Sequence, residues 1–272
     1  MDRLRNLGAY TAAVKISLRG FTYYPFDYLA SLLGYCVSEL SSVALILVVV
    51  WAFHAIDGWT LRPLVLLMGL SAVIRGIRAT FAGSVLTIPA MIQDGSFDVL
   101  LVRPVHPLIQ ALIQPGSYSV GVDSLVAVPA FLVVLWYSHL LGSVVGLLVV
   151  VLTVLGGVLM FLAVDIALAS QALWSGQSVE GGQMHWTLMY IQGQYSQYPL
   201  SVFPKLIRWV MTYLFPFAFI SYFPVRLVDS KVPSYPLPLW YGWLTLPIGI
   251  MMIVLALTIW NRGMYHYQST GS

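Results

Sequence analysis

Charge is what this chain has least of. Of its 272 residues, 8% are Asp, Glu, Lys or Arg and 59% are apolar, with a mean hydropathy of +0.85. Soluble domains carry roughly 25% charged residues, so the composition excludes a water-soluble globule and implies several membrane spans. Cysteine is nearly missing. Cys36 stands alone in an apolar run; it cannot pair within the chain, and it reads as a small buried residue and not a redox centre. No Gly-x4-Gly-Lys-Ser/Thr loop occurs, so the chain cannot cradle a nucleotide phosphate by that route. His-Glu-x-x-His and Gly-x-Ser-x-Gly are missing too. Five scattered histidines and few carboxylates make no metal site at ligand spacing, and no catalytic dyad emerges. The net charge of +3 is too small to call for a nucleic-acid partner. Residues 1–20 do not read as a cleaved signal, being too charged and lacking a small-residue cleavage site after a short apolar core.

Aromatics and long apolar runs are what the chain has instead. Nine Trp and sixteen Tyr suit two interfacial aromatic belts. Residues 1–22 predict an amphipathic helix lying in the headgroup plane: Leu4, Leu7, Val14 and Leu18 form a stripe, and Arg5, Lys15 and Arg19 lie off it. Spans are predicted at about Tyr28–Phe53, Leu64–Ile92 and Leu108–Tyr137. Ser124 to Ser170 is 47 residues with one charge, Asp165. As one helix it would be about 70 Å long, over twice a bilayer core of roughly 30 Å. It must fold back, and Tyr137–Ser143 is the best turn, giving a fourth span. A final span covers about Leu239–Trp260.

Residues 171–238 allow two readings. Hydropathy alone picks Leu206–Val225 as the fifth span, but that stretch holds Lys205 at its edge, Arg208, Pro216 and Pro224. The other reading makes 183–200 the fifth span and 201–228 a re-entrant helical hairpin, since broken helices at membrane depth need cover from protein or a cavity. Either way Ser175–Gly182 is a cytoplasmic turn and the count is six spans. With both termini inside, Arg3, Arg5, Lys15, Arg19, Arg103 and Arg262 are cytoplasmic, against Arg62, Arg226 and Lys231 outside. That bias fits the positive-inside rule.

Few residues could carry chemistry. Arg75 and Arg78 share a helix face inside the second span, and Glu39 and Asp165 are the only carboxylates within other spans, hence their natural partners. A translocation path is one reading; a structural ion pair or snorkelling is the plainer one. Taken alone, Asp165 reads as a residue at a cytoplasmic end. Gln183, Thr187, Tyr190, Gln194 and Gln197 fall on one helical face, which either lines a wet cavity or lies on the membrane surface. The path candidates are therefore Arg75, Arg78, Glu39, Gln183 and Gln194.

The most specific feature is a polar island between the second and third spans, residues 93–107. Asp94-Gly95 allows a tight turn. Asp98 to Val102 can form a short helix capped by Ser96 or Asp94, and Arg103-Pro104 stops it. Phe97, Leu100 and Leu101 would give it an exposed apolar side, rimmed by Asp and Arg, suited to docking in a groove on another protein. An ordinary interfacial loop is the plainer alternative.

These residues carry a resemblance. Asp94-Gly-Ser-Phe-Asp-Val-Leu-Leu-Val-Arg-Pro-Val-His-Pro-Leu-Ile-Gln110 resembles a segment of ABC-2 type exporter permeases, in the branch related to daunorubicin-resistance transporters. Tyr198-Pro-Leu-Ser-Val-Phe-Pro-Lys205 with Phe215-Pro-Phe-Ala-Phe-Ile-Ser-Tyr-Phe-Pro-Val-Arg226 is similar to a second region of that branch. The tail, from Trp260 through Tyr267 to Ser269 and Gly271, resembles its closing motif. Ser96 departs from the pattern, where Glu is frequent. The resemblance implies one all-α permease domain over 1–272 in a bacterial plasma membrane. It would have six transmembrane helices, an N-terminal interfacial helix, a cytoplasmic coupling helix and an extracellular re-entrant hairpin at 201–228. It implies a separate ATP-binding cassette ATPase holding ATP and Mg, a second permease chain, and export. On that basis Asp94, Gly95, Phe97, Asp98, Leu100, Leu101, Arg103 and Pro104 are the expected ATPase-coupling residues. The rival expectation is an ion-coupled secondary transporter or channel, against which no internal repeat is found.

Overall fold

The computed structural model describes residues 25–55, 57–113, 122–175, 193, 195–229, 232 and 237–268. The expected interfacial helix at 1–22, most of the 175–182 turn, and Gln183, Thr187, Tyr190 and Gln194 lie outside the described residues. What is described is helical throughout.

Among the described residues, four helical stretches are long and apolar enough to cross a membrane: Pro25–Ala52, Leu61–Gln93, Val144–Trp174 and Leu239–His266. The chain is an integral membrane protein. Helix α1 is Pro25–Phe53. The turn after it uses left-handed backbone at His54, Asp57 and Gly58, and Thr60, extended, precedes α2, Leu61–Ala82. The second stretch is not one uniform helix. Ala82 leaves helical geometry at φ −142°, a tighter 3-10 segment covers Gly83–Thr87, and α3 resumes at Ile88–Gln93 with Pro89 in its first turn. At 1.5 Å per residue the whole stretch is about 50 Å long, well beyond a bilayer core of roughly 30 Å. A stretch that long either tilts or carries one end past the hydrocarbon.

The island forms α4, Phe97–Val102, and α5 is Pro107–Ile113. Helix α6, Val122–Tyr137, has Pro129 inside it. The predicted fold-back is present: His139 adopts φ 55° and a 3-10 turn at Leu140–Gly142 leads into α7, which covers Val144–Ser175. Arg62 donates to the Ser138 carbonyl, tying the α1–α2 loop to this turn. Helix α8, Lys205–Trp209, continues into a π-helical turn at Val210–Leu214. After Pro216 the chain bends by 78° into α9, Tyr222–Val228. A 3-10 segment, Leu239–Leu244, opens α10, Thr245–His266.

Helices α7 and α10 form the tightest seam. A Cβ at Gly249 would lie 2.5 Å from the Gly156 carbonyl, and one at Gly156 would lie 2.6 Å from the Thr245 backbone. Small residues let helix backbones approach where lipid supplies no hydrophobic drive. Fourteen residues further along both helices, Gly263 faces Ser170 and Leu173. The two helices therefore run parallel and in constant register.

Among the described residues the apolar interior divides in two. A larger core joins α2, α6, the upper part of α7 and the bent α8–α9 region, with Trp59, Ile74, Phe131, Met160 and Tyr222 inside it. A smaller one is built from Val85, α3, Phe97 and Leu100 of α4, Leu108 and Ala111 of α5, and the last turns of α7 and α10, with Trp260 at its centre.

Candidate functional site

The island sits on the smaller core. Asp94 ends α3 and Gly95, at φ 77°, makes the predicted tight turn. The Ser96 amide donates to Asp94 Oδ1 at 2.9 Å, and Ser96 precedes the first helical residue. Hydrogen bonding from the Ser96 side chain first, then from its amide, holds the Asp94 carboxyl below the usual range. Arg103 turns extended, at ψ 145°, and stops the helix before Pro104. Gln110, which the sequence reading did not single out, closes the other end. Its Nε2 donates to the Leu100 carbonyl at 2.7 Å and to the Val105 carbonyl at 2.5 Å, satisfying backbone acceptors that a helix end leaves open.

The orientation of α4 corrects one expectation. Phe97 is 0% exposed and Leu100 is 1% exposed, so neither belongs to an outward apolar side. The physical reason is the smaller core: a six-residue helix has one face to bury, and here its own chain covers that face. The Phe97 ring meets Trp260 edge-on at 6.2 Å and Tyr267 at 5.2 Å. Tyr267 Oη donates to Asp98 Oδ1 at 2.8 Å. Burial first, then this bond, raises the Tyr267 phenol to about 12. The outward face is Val99, Leu101 and Val102, followed by exposed Arg103 and Pro104. Of the eight island candidates, Asp94, Leu101, Arg103 and Pro104 are exposed, Gly95 and Asp98 are half-buried, and Phe97 and Leu100 point inward.

The intramembrane cations pair as scarcity of carboxylates predicts. Arg75 Nη2 lies 2.8 Å from Glu39 Oε1 of α1; Arg78 Nε lies 2.5 Å from Asp165 Oδ2 of α7. Arg75 also donates to Ser71 Oγ at 2.8 Å and to the Gly193 carbonyl at 3.4 Å. A chain of hydroxyls continues from there, with Ser71 and Ser196 Oγ atoms 2.6 Å apart and Ser221 Oγ donating to the Ser196 carbonyl at 2.5 Å. Sequence reasoning missed these serines, because single serines in apolar runs carry no periodic signal. Among the described residues no cluster of three or more His, Cys, Asp or Glu could hold a metal ion.

A groove of about 240 Å³ opens between α1, α2 and α6, with Cys36, Val43, Met68 and Val134 on its walls and Glu39 at its edge. It is almost wholly apolar, and of the path candidates among the described residues it meets Glu39 and neither Arg75 nor Arg78.

A family model described as "ABC-2 family transporter protein" matches residues 36–271, nearly the whole chain. No curated protein and no solved structure matches it.

Proposed function

The chain belongs to the ABC-2 family of transporter proteins, and from that premise we propose that it is the membrane-spanning permease subunit of an ATP-driven exporter. ATP and its Mg are held by a separate ATP-binding cassette ATPase, because this chain has no phosphate-binding loop. The observation that carries the reading is α4. It is a short helix fixed on its inner side by Phe97 and Leu100 and open on its outer side through Val99, Leu101, Val102 and Arg103. Three exposed aliphatic side chains on a short anchored helix are costly in water and useful in a partner's groove. The coupling surface is therefore Asp94, Val99, Leu101, Val102, Arg103 and Pro104, while Phe97, Asp98 and Leu100 hold the helix in place.

Six spans, with both termini cytoplasmic in a bacterial inner membrane, complete the reading. Helices α7 and α10 are parallel neighbours, so the chain between them crosses the bilayer an odd number of times. Gly193 lies beside Arg75 and Ser196 beside Ser71; the segment runs antiparallel to α2, toward the Trp59 end. There α9 stacks Tyr222 on Trp59 at 5.4 Å. These positions support 183–200 as the fifth span and 201–228 as an extracellular re-entrant hairpin. The central stretch of α1 is scarcely covered, with Leu33, Val37 and Leu40 exposed, which suits a second permease chain or lipid. Arg75 and Glu39, in the partly exposed pair, line the transport path, with Arg78 one turn below.

Replacing Leu101 or Val102 by Asp, or Arg103 by Glu, is the test. Each change should weaken retention of the ATPase about tenfold or more in mild-detergent co-purification, with the permease still inserted and folded. Full retention by all three variants would remove the coupling role from α4.

A further inference from the structure

Helix α4 is joined through short turns to α3 and α5, so its sequence neighbours suggest that motion passes to the second and third spans. Its packing points elsewhere. The Phe97 ring is wholly buried between Trp260 and Tyr267, both on or just beyond α10. The Asp98 carboxylate accepts from the Tyr267 phenol. Above α3 the regular helix is interrupted, with Ala82 out of helical geometry and Gly83–Thr87 in a 3-10 turn. The smaller core takes its buried residues from Val85 of the 3-10 turn, from α3, α4 and α5, and from the C-terminal halves of α7 and α10, and none from α2 itself.

We propose that Tyr267 is a positioning residue that clamps α4 to the last span, so that α4 and the lower half of α10 move as one body. Phe97 is the seated ring and Asp98 the acceptor of the clamp. Movement of α10 then reaches α7 through the close seam where Gly263 meets Ser170 and Leu173. The island and the tail, far apart in sequence, are two halves of one mechanical part. The role in transport rests on the reading that the ATPase pushes on α4; the clamp itself does not.

The experiment uses the full chain with Cys36→Ser, together with its ATPase in lipid nanodiscs. Spin labels are placed at Ser96→Cys, exposed at the start of α4 and outside the proposed coupling surface, and at Tyr265→Cys, 89% exposed, and pulsed EPR reads the distance between them. The clamp predicts one narrow distance, unchanged by ATPase and by a non-hydrolysable ATP analogue. Tyr267→Phe, which removes a single hydroxyl, should add a second, longer population by moving the docked-to-undocked ratio about tenfold. Phe97→Ala should move it further. Asp98→Asn should keep the narrow distance, since an amide oxygen still accepts from the phenol, whereas Asp98→Ala should lose it. A single narrow distance retained in both Tyr267→Phe and Phe97→Ala would overturn the clamp, as would a distance that changes with nucleotide in the unaltered background. Co-purification of the Leu101→Asp, Val102→Asp and Arg103→Glu chains with the ATPase separates the two ideas. Lost retention supports coupling at α4 whatever the clamp variants do; full retention with clamp variants behaving as described leaves the clamp standing and removes the coupling.

Discussion

Arg75 and Arg78 stand one turn apart on α2 yet meet different surroundings. Glu39 keeps 23% of its side chain exposed, while Asp165 keeps none. Taking the cation from a buried carboxylate costs about 3–5 kcal/mol, whereas a partly exposed pair is worth about 1 kcal/mol or less. Thermal unfolding in detergent should therefore fall sharply for Arg78→Leu and only slightly for Arg75→Leu. Arg78→Leu combined with Asp165→Leu should recover part of the loss, because an apolar pair of similar size removes the charge as well. Equal loss in both single variants would contradict the difference in burial. Tyr267 gives a second test at this scale. Its phenol is raised to about 12 by burial and the bond to Asp98, so the folded state holds the proton more tightly than the unfolded chain does. The stabilisation is complete below the ordinary tyrosine value of about 10 and fades as pH climbs from there toward the folded value. The gap in thermal stability between the native chain and Tyr267→Phe should be constant from neutral pH to about 9 and narrow above about 10. The pairing of cations with Glu39 and Asp165 was legible because the spans hold so few carboxylates. Tyr267 and Asp98 were not legible as a pair, since 169 residues separate them and only tertiary packing joins them.

Among the elements, the four stretches long enough to cross a membrane were legible from apolar run length and the fold-back at His139 from its polar turn, whereas of the expected span Leu108–Tyr137 the described residues show α5 and a sixteen-residue α6. The interruption at Gly83–Thr87 was not legible, because Gly83, Ser84, Thr87 and Pro89 are each tolerated inside a transmembrane helix. The inward face of α4 was missed for a related reason: six residues of mixed pattern do not say which side is covered. Close approach between helices is the property of these elements most open to test. Gly249→Leu or Gly156→Leu would force a side chain into backbone already at 2.5–2.6 Å, separating α7 from α10. Each should cost about 3 kcal/mol or more and lower the yield of monodisperse protein on size exclusion. Gly34→Ala in α1, where nothing lies within 4 Å, should change stability by no more than about 1 kcal/mol. A destabilising Gly34→Ala with a tolerated Gly249→Leu would mean the seam is misassigned.

For the molecule as a whole, the division into two cores has no counterpart in the linear sequence. Hydropathy ranks segments one at a time, whereas Val85, Phe97, Leu108, Ile166 and Trp260 come together only after the chain has folded back repeatedly. The ion pair between Arg78 and Asp165 lies where these layers adjoin, since Val164 belongs to one core and Ile166 to the other. That pair also fixes an order of events at the ribosome. Glu39 is synthesised 36 residues ahead of Arg75, so the first cation finds its counter-ion already waiting. Asp165 follows Arg78 by 87 residues, a delay of roughly 4–17 s at ordinary elongation speed. A nascent chain arrested before α7 should accordingly leave the Arg62 loop reachable by membrane-impermeant reagents on only a fraction of molecules, and that fraction should rise to completeness once Asp165 has emerged. On that outcome, commitment of the second span to the bilayer would be completed late in biogenesis, by a residue from the far half of the chain.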